Sequence, residues 1–343
     1  MLIYPLIFGF SILFAYQYSN TNKKYFQKLS FLMLFLPAAF RYQVGVDFNA
    51  YSNIFEYTAN GIPVLMEPGY LLINYIVYKM GGTFQVVVAF MSFSTLYFAF
   101  ASFPKKHYHH CVALFSLVFY QWTYTTLRQM LVVSFAYYCY VHLFLNKKYF
   151  KSYILLGVAS FIHLSGFLYI IVFAALRRVT LNRLSGFYIF IGSLFLIPFG
   201  SSLIEFIFSV LLSGTKYDVY QSMTTPSGQA AEASTGLGRV LRFIIYFLFL
   251  LPLIIYSDNK QSSHGIIFML LIIIFDILAQ HMGVFSRISR AFLFGYFVII
   301  IAIVNGKSRY RQVLLTLLYV GLSVLFFGNM LNGVNLPYRT IFG

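Results

Sequence analysis

The chain has 343 residues, of which 60% are hydrophobic and only 9% charged. Soluble domains carry about 45–50% apolar and about 25% charged residues, so this composition cannot cover a soluble exterior. Disorder is excluded too, because Leu, Ile, Val, Phe and Tyr abound. What remains is an all-α integral membrane protein. A transmembrane helix takes roughly 20 apolar residues, so a dozen spans take about 240 and leave about 100 for connections. The whole chain, 1–343, reads as a single polytopic membrane domain. The net charge of +16 comes from 24 Lys and Arg against 8 Asp and Glu. In a soluble protein it would suggest nucleic acid. In a membrane protein it reflects the basic bias of short cytoplasmic loops, and no nucleic-acid partner is expected. Cys111 and Cys139 lie in apolar runs and offer neither a disulfide framework nor metal-ligand spacing.

Apolar runs fall at about 1–18, 29–40, 83–103, 110–122, 128–145, 152–176, 185–199, 239–256, 264–280, 290–305 and 310–327. The first has no basic leader and no small-residue cleavage site, so it reads as a membrane helix rather than a signal peptide. Basic groups separate the runs: Lys23, Lys24 and Lys28; Lys105 and Lys106; Lys147, Lys148 and Lys151; Arg177, Arg178 and Arg183; Lys260; Lys307, Arg309 and Arg311. The positive-inside bias places all of these in the cytoplasm. Parity then constrains the rest. The run 152–176 is about 25 residues long, yet basic residues flank it on what must be one side. Two half-helices in a hairpin satisfy both facts, with a tip near His163, Ser165 and Gly166. The segment 67–80 is too short to span and reads as a re-entrant or interfacial helix ended by Gly81 and Gly82. The sum is about 12 membrane helices with both termini outside. The longest connection, 200–238, reads as an outer-face loop with an amphipathic stretch from Ser201 to Leu212. Its polar remainder, 213–238, reads as a mobile lid.

The outer face then collects most of the unusual residues. The basic residues left outside the cytoplasmic groups are mainly Arg, among them Arg41, Arg128, Arg287, Arg290 and Arg339. Arg offers a planar fork suited to bidentate phosphate or carboxylate binding, whereas Lys serves as a hydrated topogenic charge. Arg239 and Arg242 read equally well as lipid head-group anchors. Acidic residues are scarce. Asp47 and Glu67 lie outside, whereas Asp276 falls within a span, either as a functional acid or paired with Gln280. His163 occupies the hairpin tip. His107, His109 and His110 have no acidic or cysteine partner in sequence, so no metal site is expected. No phosphate-binding loop, dinucleotide fingerprint or hydrolase motif is present.

Several short stretches together resemble the EpsG-like branch of the Wzy-type bacterial polysaccharide polymerases. They are Phe40-Arg41-Tyr42 followed by Gly45-Val46-Asp47 and Tyr51; Glu67-Pro68-Gly69-Tyr70-Leu71-Leu72; Leu127-Arg128-Gln129; Phe161-Ile162-His163-Leu164-Ser165; Arg287 with Arg290; and Leu336-Pro337-Tyr338-Arg339. Their order covers nearly the whole chain. Met130 and its apolar followers depart from the small residues more usual after Arg-Gln. The resemblance implies a GT-C-like membrane glycosyltransferase of the bacterial inner membrane, active on its periplasmic face. It joins oligosaccharide repeat units carried on undecaprenyl diphosphate, works among membrane lipids with a chain-length-determining membrane protein as partner, and uses no metal or nucleotide cofactor.

Glycosyl transfer from a lipid diphosphate needs cations on the departing group and a base for the acceptor hydroxyl. Arg128, Arg287 and Arg290 are assigned to the diphosphate, with Arg41 and Arg339 in support. Asp47, Glu67 and His163 are the candidates for base or sugar-hydroxyl binding. Tyr51, Gln129 and Tyr338, from the same stretches, are substrate-binding candidates. For Arg128 the alternative is an ion pair with Asp47 or Glu67 that only holds the fold. Two other activities fit the same residues: a flippase for lipid-linked oligosaccharide, and an O-antigen ligase-type glycosyltransferase.

Overall fold

The computed structural model describes residues 3–207, 244–248, 250, 260–281, 283–305, 311–331 and 338–342. It is 82% helix, and among the described residues the extended pairing is one isolated antiparallel bridge between Arg41 and Thr340. The chain divides into two compact units, Met1–Val179 with Leu322–Gly343, and Thr180–Gly321.

The first unit opens with α1 (Ile3–Thr21) and α2 (Lys24–Phe40). The buried residues of α1, Tyr4, Phe8, Ser11 and Ala15, recur every three or four positions and so form one helical face. Small residues let the two helices approach closely, and the Ser11 hydroxyl donates to the Ser30 carbonyl at 2.9 Å. α3 (Phe48–Ala59) and α4 (Pro68–Lys79) follow, then α5 (Phe84–Ser102). One face of α5 buries Val87, Val88, Met91 and Thr95, while Val86, Phe90, Phe93 and Tyr97 are exposed on another. A helix apolar on every side suits a membrane rather than water.

Tyr108–Thr125 runs as one helical path: α6 (Tyr108–Leu114), a π turn (Phe115–Phe119) and α7 (Tyr120–Thr125). Thr126 breaks the path with φ −115° and ψ 57°, and α8 (Leu127–Cys139) restarts it before a second π turn (Tyr140–Phe144). Each path of this length rises about 27 Å, close to the thickness of a bilayer core. The expected hairpin is present as α9 (Tyr149–Ser160) and α10 (Ser165–Arg178). The Arg177 guanidinium lies 4.3 Å from the Tyr149 ring centroid, so the two ends of the hairpin do return to one side.

The second unit holds α11 (Arg183–Leu194), whose Asn182 cap accepts from the Ser185 amide at 2.8 Å, and α12 (Leu196–Ile207). The single run expected at 185–199 is thus two helices parted at Phe195, and α12 takes in Ser201 to Ile207 of the expected amphipathic stretch, whose remainder lies outside the described residues. Then come α13 (Lys260–Ala279), α14 (Val284–Ala291), α15 (Gly295–Asn305) and α16 (Arg311–Leu331), whose last residues, from Leu322, belong to the first unit. α14 and α15 are bent by 44° at the break between Ala291 and Gly295. The loop 213–238, Arg239, Arg242 and most of the run 239–256 lie outside the described residues. Among the described residues, 2 helices, Phe84–Ser102 and Arg311–Gly328, are each long and apolar enough to cross a membrane, or up to 3 if the bent pair is one span.

Candidate active site

The site begins where α2 ends. Beyond Phe40 the chain is extended, and residues 40–42 pair with the C-terminal segment: the Tyr42 amide donates to the Arg339 carbonyl at 2.9 Å and the Ile341 amide to the Phe40 carbonyl at 3.0 Å. Arg41 is buried, 1% exposed. Its guanidinium donates to the Ala38 carbonyl at 2.7 Å, the Ser92 hydroxyl at 3.2 Å and the Thr123 carbonyl at 3.2 Å, and stacks 4.6 Å from the Tyr124 ring centroid. Desolvation pulls its pKa below the ordinary arginine value, while Tyr124, Tyr120, Tyr4 and Tyr338 pull it back. Burial pushes Tyr338 up to about 12, with Arg41 opposing, and its hydroxyl donates to the Pro37 carbonyl at 2.8 Å. Arg41 thus fastens the ends of α2 and α7 to the C-terminal segment. The exposed Arg339 contributes its backbone to this pairing.

The next link is Gly45. Its φ is +100°, and a Cβ there would strike the Tyr124 carbonyl oxygen. Only glycine tolerates both demands, so the loop 42–47 lies flat against the end of α7. This loop delivers Asp47 to the start of α3. The half-buried Asp47 has φ −90° and ψ 4°, outside the extended region that suits a helix cap, and its carboxylate makes no capping hydrogen bond. Tyr51 follows one turn later, its amide donating to the Asp47 carbonyl at 3.0 Å.

Arg128 occupies the first turn of α8, directly after the Thr126 break. It forms an ion pair with Glu67, the residue that precedes α4. The two side chains are 12% and 17% exposed. The guanidinium carbon lies 5.5 Å from the Tyr51 ring centroid and 5.2 Å from that of Tyr70, and the two rings meet edge to face at 5.7 Å. Of the two carboxylates expected near Arg128, the structure pairs it with Glu67. The neighbouring Gln129 is buried, 3% exposed.

The hairpin tip completes the group. The Gly69 amide donates to the Phe161 carbonyl at 2.7 Å, and a Cβ on Gly69 would sit 2.7 Å from the same oxygen. The segment carrying Glu67 therefore rests directly on the tip that carries His163. His163 Nδ1 accepts from the Ser165 amide at 3.2 Å and lies 3.0 Å from the Ser165 hydroxyl. A neutral imidazole that accepts at Nδ1 carries its proton on Nε2.

Among the described residues no three His, Cys, Asp or Glu side chains gather as metal ligands. Arg128 is thus a cation set against two aromatic rings with a paired carboxylate, while Asp47 lies one helical turn before Tyr51 and His163 two residues after Phe161, on which Gly69 rests. A guanidinium held this way suits an anionic ligand. Arg287 and Arg290 lie in the second unit, three residues apart on α14, which is tied to α13 by the Ser289 hydroxyl donating to the Ile272 carbonyl at 3.2 Å. Asp276 is half-buried in α13.

Residues 24–340 match the family model of the EpsG family. The chain belongs to the EpsG family. The proteins of this family are Wzy-type polysaccharide polymerase-like, and together with the apolar helices this membership points to a membrane-embedded protein. No curated protein and no solved structure matches the chain. All but one of the stretches that resemble the EpsG family lie in the first unit, where Tyr338 bonds to Pro37, Arg41 stacks on Tyr124, Tyr124 closes against Gly45, Arg128 meets Tyr51 and Glu67, and Gly69 rests on Phe161; the exception is Arg287 with Arg290. Sequence reasoning missed Tyr70, Tyr120 and Tyr124. With 29 tyrosines in this EpsG-family chain, composition could not single them out, although Tyr70 directly follows the Glu-Pro-Gly stretch.

Proposed function

We propose that the protein is a polysaccharide polymerase that joins oligosaccharide repeat units carried on undecaprenyl diphosphate, at the outer face of the bacterial inner membrane. The observation that carries this reading is Arg128. Its guanidinium is largely withdrawn from water, backed by the faces of Tyr51 and Tyr70, and held by a single carboxylate at the start of a helix. A fork placed this way suits a diphosphate. In the reaction, an acceptor sugar hydroxyl attacks the anomeric carbon of the donor. A new C–O bond forms, the bond to the lipid diphosphate breaks, and the diphosphate leaves with the electron pair. Its charge grows as the bond breaks, so Arg128 binds the transition state more strongly than the ground state. Arg287 and Arg290 are proposed as further diphosphate ligands and Arg41 and Arg339 as supports. Gln129, Tyr51 and Tyr338 are proposed at the saccharide, with a chain-length-determining membrane protein as partner.

The test is reconstitution. Purified protein in lipid, given defined undecaprenyl-diphosphate-linked repeat units, is expected to yield a ladder of products differing by one unit. Transfer of a single unit to a different acceptor, without a ladder, would indicate a ligase. Movement of the lipid-linked unit across the bilayer with no new bond would indicate a flippase.

A further inference from the structure

We infer that Asp47, rather than Glu67 or His163, takes the proton of the acceptor hydroxyl as the new glycosidic bond forms. The inference rests on the polymerase reading above and deepens it by dividing the work of the site. Sequence leaves the three residues equivalent, and the geometry does not. Glu67 is committed to Arg128. Protonating it would dissolve the ion pair that holds the guanidinium against Tyr51 and Tyr70, at the moment when that guanidinium is needed on the leaving diphosphate. His163 presents the wrong nitrogen. Its Nδ1 lone pair already accepts from the Ser165 amide, so a neutral ring offers a proton at Nε2 rather than an acceptor.

Asp47 differs on both counts. Its carboxylate makes no capping bond, and the ion pair with Arg128 belongs to Glu67. Asp is a favoured capping residue, so an uncapped aspartate at a helix start leaves its oxygens for another partner. Its position is fixed independently of its side chain. Gly45 is locked against Tyr124, the Phe48 amide donates to the Gly45 carbonyl at 3.1 Å, and the Phe48 ring packs 5.9 Å from that of Tyr42. Asp47 and Tyr51 lie four residues apart on one face of α3, a spacing that brings Cβ atoms to about 5–6 Å. The Tyr51 ring is the one 5.5 Å from the Arg128 guanidinium carbon. One helical face therefore carries a carboxylate for the acceptor beside an aromatic ring that backs the cation for the donor. The hydroxyl proton passes to Asp47, the hydroxyl oxygen bonds to the anomeric carbon, and the electron pair of the broken bond goes to the diphosphate.

Wild-type protein and the Asp47→Asn, Asp47→Glu and Asp47→Ala variants are compared for melting temperature, apparent affinity for lipid-linked repeat unit and turnover to polymer. Wild type must first form the ladder; its failure to do so would count against the polymerase reading itself. Given the ladder, Asp47→Asn is expected to bind repeat unit normally and to lose about 10²–10⁴-fold in turnover, the usual contribution of a positioned base. Asp47→Glu is expected to retain more turnover than Asp47→Asn. Added formate is expected to restore turnover to Asp47→Ala, while leaving wild type and Glu67→Ala unaffected. Asp47→Asn turning over within a few-fold of wild type would overturn the assignment. So would an Asp47→Ala variant that gains nothing from formate.

Discussion

Replacing Arg128 separates fold from chemistry, because its ion pair with Glu67 gives a stability term that can be measured apart from rate. Breaking a fully buried pair costs about 3–5 kcal/mol, and an exposed pair is worth about 0–1 kcal/mol. At 12% and 17% exposure this pair lies nearer the buried limit, and discounted for solvent screening its loss is expected to cost about 1–3 kcal/mol. Arg128→Ala also loses its contacts with the Tyr51 and Tyr70 faces, about 0.5–1 kcal/mol each. Arg128→Lys keeps the charge opposite Glu67 and loses the planar fork, so its melting temperature should fall only slightly. Its rate should fall about 100-fold or more, the usual consequence of removing one donor from a developing anion. The double variant Arg128→Ala/Glu67→Ala should be more stable than the sum of the single losses, because it leaves no orphaned charge. The assay pairs thermal unfolding in detergent with polymer formation from lipid-linked repeat units. An Arg128→Lys protein that melts normally and polymerises at the wild-type rate would refute diphosphate recognition by this fork and leave Arg128 as a structural cation.

Gly45→Ala places a side chain at φ +100° against the Tyr124 carbonyl and is expected to cost more than about 2 kcal/mol, read as an early melting transition; an unchanged melt would contradict the docking of loop 42–47. Tyr338→Phe removes the hydrogen bond to the Pro37 carbonyl and should cost about 1 kcal/mol, with equal stability to wild type arguing against the C-terminal clasp. A cysteine at exposed Asn60 should react with an impermeant thiol reagent applied from outside, and one at exposed Lys148 should not. Labelling of Lys148 from outside would reverse the orientation.

The helical, apolar character of the chain is legible in its apolar runs, although among the described residues 2 helices, or up to 3 with the bent pair, are long and apolar enough to cross a membrane, against the dozen expected. The α9–α10 hairpin is legible from charge parity, with Lys151 and Arg177 required on one side. α3 is not. Its sequence from Phe48 to Ala59 is too polar to span and reads as an outer loop. Yet Phe48, Tyr51, Ile54 and Phe55 recur at helical spacing and are all buried. The signal was periodicity without enough hydropathy. Arg128 is legible as a special cation at a span start, but choosing its partner needs the fold: Asp47 and Glu67 both lie far from it in sequence, and the structure pairs it with Glu67. From sequence Arg41 reads as a support for the diphosphate, and no sequence feature announces its buried stack on Tyr124. The π turns were equally silent, since one extra residue in a helical turn leaves an apolar run unchanged.

In the proposed polymerisation each linkage is made by breaking a sugar–diphosphate bond. This is measured as the stoichiometry of lipid diphosphate released per linkage formed, with label in both the lipid and the saccharide of the repeat unit. One undecaprenyl diphosphate is expected to be released for every repeat unit added, with the polymer still attached to one lipid. Polymer growth without matching release, or release without growth, would contradict it.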